Sequence, residues 1–262
     1  VQQPQMVTAP SLETCNTWIS FIVLLGCGAA IYPQAIQRLY ASRSVRGLKS
    51  SLAVMAFMPL TTTLIALVCG ATGRIVLPGM EGIATDQVLA RLCGLIMQDS
   101  AAGYWLVVVI IAAALAALMS TADSALLSIS SMFTRDIYQA HLRPDSSEEE
   151  LTRVGKICSW VFVFLLVVVA IGTEKTLVRL LELKFEVLIQ VVPCFFLGLY
   201  WRHLSSNIVL TGMLVGLAVG LGLTVAGQPK VWGFHAGVVG LACNFVICAL
   251  GTAWFPANLE KS

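Results

Sequence analysis

The chain has 262 residues, of which 58% are hydrophobic and only 11% charged, and its mean hydropathy is +0.86. Soluble domains carry about 25% charged residues, so the composition excludes a water-soluble globular fold and points to an integral membrane protein. A net charge of +2 without a long basic run excludes a nucleic-acid partner.

Seven apolar stretches reach the roughly 17–25 residues that cross a bilayer. They cover residues 15–38, 50–77, 103–134, 153–172, 178–201, 205–226 and 232–255. The expected fold class is therefore all-α, a polytopic membrane protein with seven transmembrane helices. Most connections are short and polar, and two longer ones cover 78–102 and 135–152. The second, "RDIYQAHLRPDSSEEELTR", has a proline break and then an acidic run, which predicts a solvated loop entering the next helix.

Lys and Arg counts predict the orientation. One set of connections holds Arg38, Arg43, Arg46, Lys49, Arg135, Arg143, Arg153, Lys156, Arg202 and Lys261; the other holds only Arg74, Arg91, Lys175, Arg179, Lys184 and Lys230. The first set is expected in the cytoplasm, which places residues 1–14 outside and a 256–262 tail inside. The opening "VQQPQMVTAP" has no initiator Met and no signal-peptide layout, so a piece of a longer protein is expected.

The first stretch is not a uniform helix. "LLGCGAAIYPQAIQR" sets Gly26, Gly28 and Pro33 within eight residues. Glycine weakens a helix and proline removes a backbone donor. Freed backbone groups are tolerated inside a bilayer only where they face protein or a wet cavity, as in the discontinuous helices of transporters. A packing glycine pair with a proline kink is the plainer alternative. Tyr32 and Gln34 add polar groups at the same depth.

The third stretch carries "ALAALMSTADSALLSISSMFTRDIY", residues 114–138. At about 100° per residue, Ala117, Ser120, Ser124, Ser128 and Ser131 fall within an arc of about 80°. Thr121 lies just beyond one edge and Asp123 beyond the other. Small-xxx-small packing and back-bonding to helix carbonyls account for Ser128, Ser130 and Ser131. Asp123 differs, because an ionisable group within a span is by default a functional-site hypothesis. Small oxygen donors around a carboxylate suit a hard cation, whereas the lack of His and thiolate argues against zinc or copper.

In the fifth stretch Glu182 and Glu186 share a face and Lys184 points elsewhere. A wet helix start and a role at a pocket entrance both remain open for them. Gln190 lies deeper and is the pocket candidate. Gly212, Gly216 and Gly220 in the sixth stretch predict a packing face for a neighbouring helix. Cysteines 15, 27, 69, 93, 158, 194, 243 and 248 form no CxxC pair and read as small core residues. His141, His203 and His235 form no ligand set and receive no role. No catalytic constellation is present, so an enzyme is not expected.

"AALMSTADSALLSISSMFTRDIY" strongly resembles the eighth core helix of the sodium:solute symporter family, which includes sodium-coupled sugar, proline and pantothenate carriers. "YPQAIQRLYASRS" resembles the end of that family's broken sixth helix. "LLELKFEVLIQVVPCFFLGLYWRHLSSNIVLTGMLVG" resembles its tenth and eleventh helices. The resemblance runs from about Asn16 to Phe255. It implies a LeuT-type fold whose second inverted repeat, core helices six to ten, occupies 15–201, with two additional helices over 202–255. Helices one to five of the same protein would lie upstream.

By that resemblance, sodium is held by the Ala117 carbonyl and the Ser120 and Thr121 hydroxyls, and a second cation site falls at Asp123 and Ser124. Solute contacts fall in the 26–34 region, at Gly28, Tyr32 and Gln34, and at Glu186 and Gln190. Gly28, Ala29 and Ala30 stand where several relatives carry aromatic residues, so a proline or sugar substrate is not implied. The resemblance implies a plasma-membrane symporter of a small polar organic solute, with sodium as coupling ion, no organic cofactor and no metal other than sodium. A symporter-like sensor module of a signalling protein is the alternative.

Overall fold

The computed structural model describes residues 9–172, 175–201 and 203–254. Residues 1–8, Arg202, Phe255, Lys261 and the 256–262 tail lie outside the described residues. Ten α-helices and one two-stranded hairpin are present among the described residues. Six of the helices are long and apolar enough to cross a membrane. The chain forms two compact units, one built from residues up to Ile36 and from Val178 onward, the other from Gln37–Leu177.

The second unit holds the longest helices. Helix α2 (Pro33–Tyr40) leads into α3 (Val45–Val76), whose start is fixed by the Ser44 hydroxyl accepting from the Gly47 amide. Pro59 lies within α3, and the following Thr61 and Thr62 hydroxyls donate to the Met58 and Pro59 carbonyls. The connection 78–102 is not simply polar. It contains a 3-10 turn at Gly82–Gln87 and helix α4 (Val88–Asp99), which packs on α5 (Ala101–Met132). Ser100 caps α5, and its Gly103 lies against the Ile96 backbone, where a side chain would not fit.

The predicted solvated loop at 135–152 is largely helical. Helix α5 continues as a π-helical segment over Phe133–Leu142, and α6 (Glu148–Ile171) begins at the Ser147 cap. Two contacts sustain the extension beyond the apolar run: Arg135 makes a two-pronged bond to Glu148, and the Tyr138 hydroxyl donates to Glu150 at 2.7 Å. The loop expected at the Pro144 break is present but confined to residues 143–147, between the π segment and α6.

The first unit contains α1 (Leu12–Ala30), α7 (Leu177–Leu188), a 3-10 turn at Ile189–Val191, α8 (Val192–Tyr200), α9 (Ser206–Val225), the hairpin strands β1 (Lys230–Val231) and β2 (Phe234–His235), and α10 (Ala236–Trp254). The stretch expected to form one span over 178–201 is therefore interrupted at its middle. The hairpin was not anticipated. Its two-residue turn places Trp232 at φ 52° and Gly233 at φ 87°, the left-handed pair that matches strand twist. Asn16 and Thr17 of α1 donate to the Trp232 and Gly233 carbonyls and fasten the turn.

Helices α9 and α10 make the closest helix pair. Gly212, Gly216 and Gly220 are buried against Gly237, Gly240, Asn244 and Cys248, as the four-residue spacing predicts. A Cβ on Gly216 would come within 2.8 Å of the Gly240 carbonyl oxygen and 3.0 Å of Asn244 Cβ. Gly216→Val must push the helices apart, and a destabilisation of about 1–3 kcal/mol is expected. Thermal unfolding of the purified protein in detergent checks this; an unchanged midpoint would refute the tight seam.

Candidate functional site

The hydroxyl face of α5 divides into two parts. Ser128 donates to Gln37 Oε1 at 2.7 Å, and Gln37 Nε2 approaches Ser131 at 3.5 Å. Ser130 and Ser131 also donate to the Leu127 and Ser128 carbonyls, and Thr134 donates to the Ser130 carbonyl. These hydroxyls serve packing. Ser128→Ala should lose about 1 kcal/mol of stability, the value of one such bond, and leave any sodium dependence unchanged. A shifted sodium dependence would move Ser128 into the ion site.

One to three turns earlier the same helix is different. Ala117, Ser120, Thr121 and Asp123 are all exposed, and Ser124 is half-buried. The Thr121 hydroxyl donates to the Ala117 carbonyl at 2.9 Å, and Ser124 donates to the Thr121 carbonyl at 3.0 Å. Within the helix the Ala117 carbonyl also accepts the Thr121 amide, so both of its lone pairs are engaged, while the Thr121 hydroxyl oxygen keeps its own. One cation can bridge the two oxygens only when the hydroxyl turns its proton away from the carbonyl. Ser120 follows on the same face, and Asp123 projects from the helix one turn closer to the packed part, without an ion-pair partner among the described residues.

The break after α1 falls later than Gly26 and Gly28, which are both helical. Helix α1 stops at Ala30, Ile31 and Tyr32 are non-helical, and Pro33 opens α2, where its missing N–H costs nothing. The Tyr32 carbonyl accepts from the Ala35 and Ile36 amides at 2.9 and 3.1 Å, so the new helix is capped by the break itself. Gly28 is buried under the Phe185 ring of α7, two of whose carbons would lie 3.0–3.1 Å from an added Cβ. Lys184 Nζ stands 4.4 Å from the Phe185 ring centre and 4.9 Å from that of Tyr32. Gln34 lies half-buried in the first turn of α2.

A buried polar network joins the other faces of α7 to α1, α9 and the hairpin. Arg179 bonds Glu182 at 2.8 Å and Glu186 at 3.0 Å. Glu186 also accepts from Thr224 of α9 at 3.1 Å. His235 Nε2 meets Glu182 at 3.3 Å, while its Nδ1 and backbone amide both contact the Ser20 hydroxyl. With the Ser20 proton given to Nδ1, the neutral Nε2–H tautomer satisfies every group. The reading that gave His235 no role is corrected: it is fully buried and ties the hairpin to two helices. A polar Ser20 and Asn244 within apolar runs were the signals that sequence reading passed over.

Gln190 lies in the 3-10 turn that interrupts 177–200 and is 2% exposed. Its side-chain nitrogen donates to the Glu186 and Gly237 carbonyls, at 3.2 and 2.9 Å, and its own carbonyl accepts from Asn244 at 2.7 Å. Asn244 thus satisfies a carbonyl that the interrupted helix leaves free. Gln190 Oε1 has no hydrogen-bond partner among the described residues. In the second unit a cavity of about 320 Å³ opens between α5 and α6 near Ser130, Arg135, Glu148 and Lys156. No group of three or more His, Cys, Asp or Glu is placed to hold a metal ion among the described residues.

Six apolar helices long enough to cross a membrane, among the described residues, define a multi-pass membrane protein. The sodium:solute symporter family profile matches residues 2–216, and the chain belongs to that family. It is 25% identical over 246 residues to the sodium/pantothenate symporter of Haemophilus influenzae, covering 93% of this chain and 49% of that protein. The sodium/proline symporter of the same organism is 32% identical over 132 residues, covering 50% of this chain and 25% of that one. The high affinity choline transporter 1 of Rattus norvegicus is 28% identical over 237 residues, covering 88% and 40%. The chain spans about half the length of the pantothenate relative or less of the others. No solved structure matches the chain.

Proposed function

We propose that the protein to which this chain belongs is a sodium-coupled symporter of a small polar organic solute in the plasma membrane. The observation that carries this reading is the Ala117 carbonyl and Thr121 hydroxyl, 2.9 Å apart on an exposed face of an apolar helix, with Ser120 beside them. These three positions are assigned to the coupling sodium, with a second cation at Asp123 and Ser124. Among the described residues nothing covers Ala117, Ser120 and Thr121, which fits ligands supplied from elsewhere in the protein. Helices one to five of a LeuT-type fold are the proposed source, with this chain as the second inverted repeat and two added helices.

Solute contacts are assigned to Tyr32 and Gln34 at the break. Gly28 admits the Phe185 ring and Gln190 holds the interrupted helix to α10. The start of the chain is assigned to the outside and its end to the cytoplasm, from the Lys and Arg bias. Coupling then requires that sodium bind one conformation more tightly than the other. The relatives that carry pantothenate, proline and choline by name support a small polar cargo without choosing one.

The test is full-length protein in liposomes with an inward sodium gradient and a panel of solutes. Uptake that collapses when the gradient is removed is expected. Uptake indifferent to sodium would overturn the reading.

A further inference from the structure

We propose that Lys184 is the anion-recognition residue of the solute site, so that the carried solute bears a carboxylate or a comparable negative group. This rests on the solute-site assignment at Tyr32 and deepens it.

Lys184 stands apart from the other charges of α7. Arg179, Glu182 and Glu186 turn toward β2, α9 and each other, and within that group every charge has a partner. Lys184 turns the other way, toward the break between α1 and α2. No carboxylate lies within ion-pair distance of it among the described residues. Its ammonium rests on two ring faces, Phe185 and Tyr32.

Ring faces attract a cation weakly and do not neutralise it, and they leave its three N–H donors without strong acceptors. Lys184 is exposed on α7, so its ammonium is open to an anionic group brought by a solute. Tyr32, whose ring lies under the ammonium, also carries a hydroxyl that can serve as a second donor to one anionic group. An ammonium resting on two ring faces suits a small carboxylate whose body packs on those rings. Gly28 contributes indirectly: any larger residue would displace Phe185, and with it one of the two rings that set the height of the ammonium.

The test separates binding from transport. Purified full-length protein is incubated with carboxylates and their own amides: propionate and propionamide, benzoate and benzamide, nicotinate and nicotinamide. Thermal stabilisation is read for wild type, Lys184→Arg and Lys184→Met, and sodium-driven uptake of the same probes is read in liposomes. At least one carboxylate is expected to bind tenfold or more tightly than its amide. Lys184→Met should abolish that preference, while Lys184→Arg, a cation that can sit on the same rings, should retain most of it.

Equal binding of each carboxylate and its amide, stabilisation by no carboxylate in the panel, or an intact preference in Lys184→Met would overturn the proposal. A carboxylate preference that depends on Lys184 but is accompanied by no sodium-driven uptake would uphold the anion site and remove the symporter reading instead.

Discussion

Thr121→Ala in the full-length protein is expected to raise the sodium concentration for half-maximal uptake about tenfold or more, because losing one oxygen that faces an ion costs roughly 1.5–3 kcal/mol. The Ala117 carbonyl and the Thr121 hydroxyl lie 2.9 Å apart, so removing the hydroxyl takes away half of the closest oxygen pair on the exposed face of α5. Thr121→Ser keeps the oxygen and should stay near wild type. Solute affinity at saturating sodium should change little in either variant. Sodium-dependence curves for the three proteins decide the matter, and superimposable curves would take Thr121 out of the ion site.

Arg179→Leu should be the most damaging single change in the first unit. It removes the one cation that bonds both Glu182 and Glu186, at 2.8 and 3.0 Å, and leaves two nearly buried carboxylates facing each other. Breaking such a pair by deleting one partner costs about 3–5 kcal/mol, since the remaining charge has lost both water and its counter-ion. Arg179→Lys offers one compact ammonium in place of a planar fork and should recover only part of the loss. Thermal unfolding of the purified protein in detergent measures both. A loss below about 1 kcal/mol in Arg179→Leu, the range of an exposed pair, would mean that water reaches the network.

Period and composition carried most of the helical plan. A long apolar run has no way to satisfy its backbone in lipid except as a helix, so the spans at 50–77, 103–134, 153–172 and 205–226 could be placed within several residues. Glycines at four-residue spacing foretold the seam of α9 with α10 for the same reason, since only one face of a helix meets its neighbour. Elements that depend on local detail were harder to see. The short α4 was hidden in a polar connection because twelve residues fall below the length that marks a span. The hairpin at 230–235 was split between a short connection and the last apolar run, which took in its turn and second strand from residue 232 on. The helical course through 133–142 depends on side-chain contacts to α6 that no pattern in 135–152 announces.

The candidate sites divide along the same line. The hydroxyl stripe of α5 is a property of one helix, and 3.6 residues per turn places Ala117, Ser120 and Thr121 on one face without reference to any other element. Which hydroxyls pack and which stay open depends on where α2 lies, and Gln37 alone made Ser128 a packing residue. His235, Ser20, Thr224 and Glu186 come together from four separated segments, and Lys184 meets Tyr32 across about 150 residues of chain. The sequence by itself determined membrane character and helix faces, because these follow from local period and residue type, and its motifs carried the resemblance to the family. Only the tertiary structure decided which charges are paired and which one, Lys184, is turned toward the break, because pairing depends on distances that the folded chain alone sets.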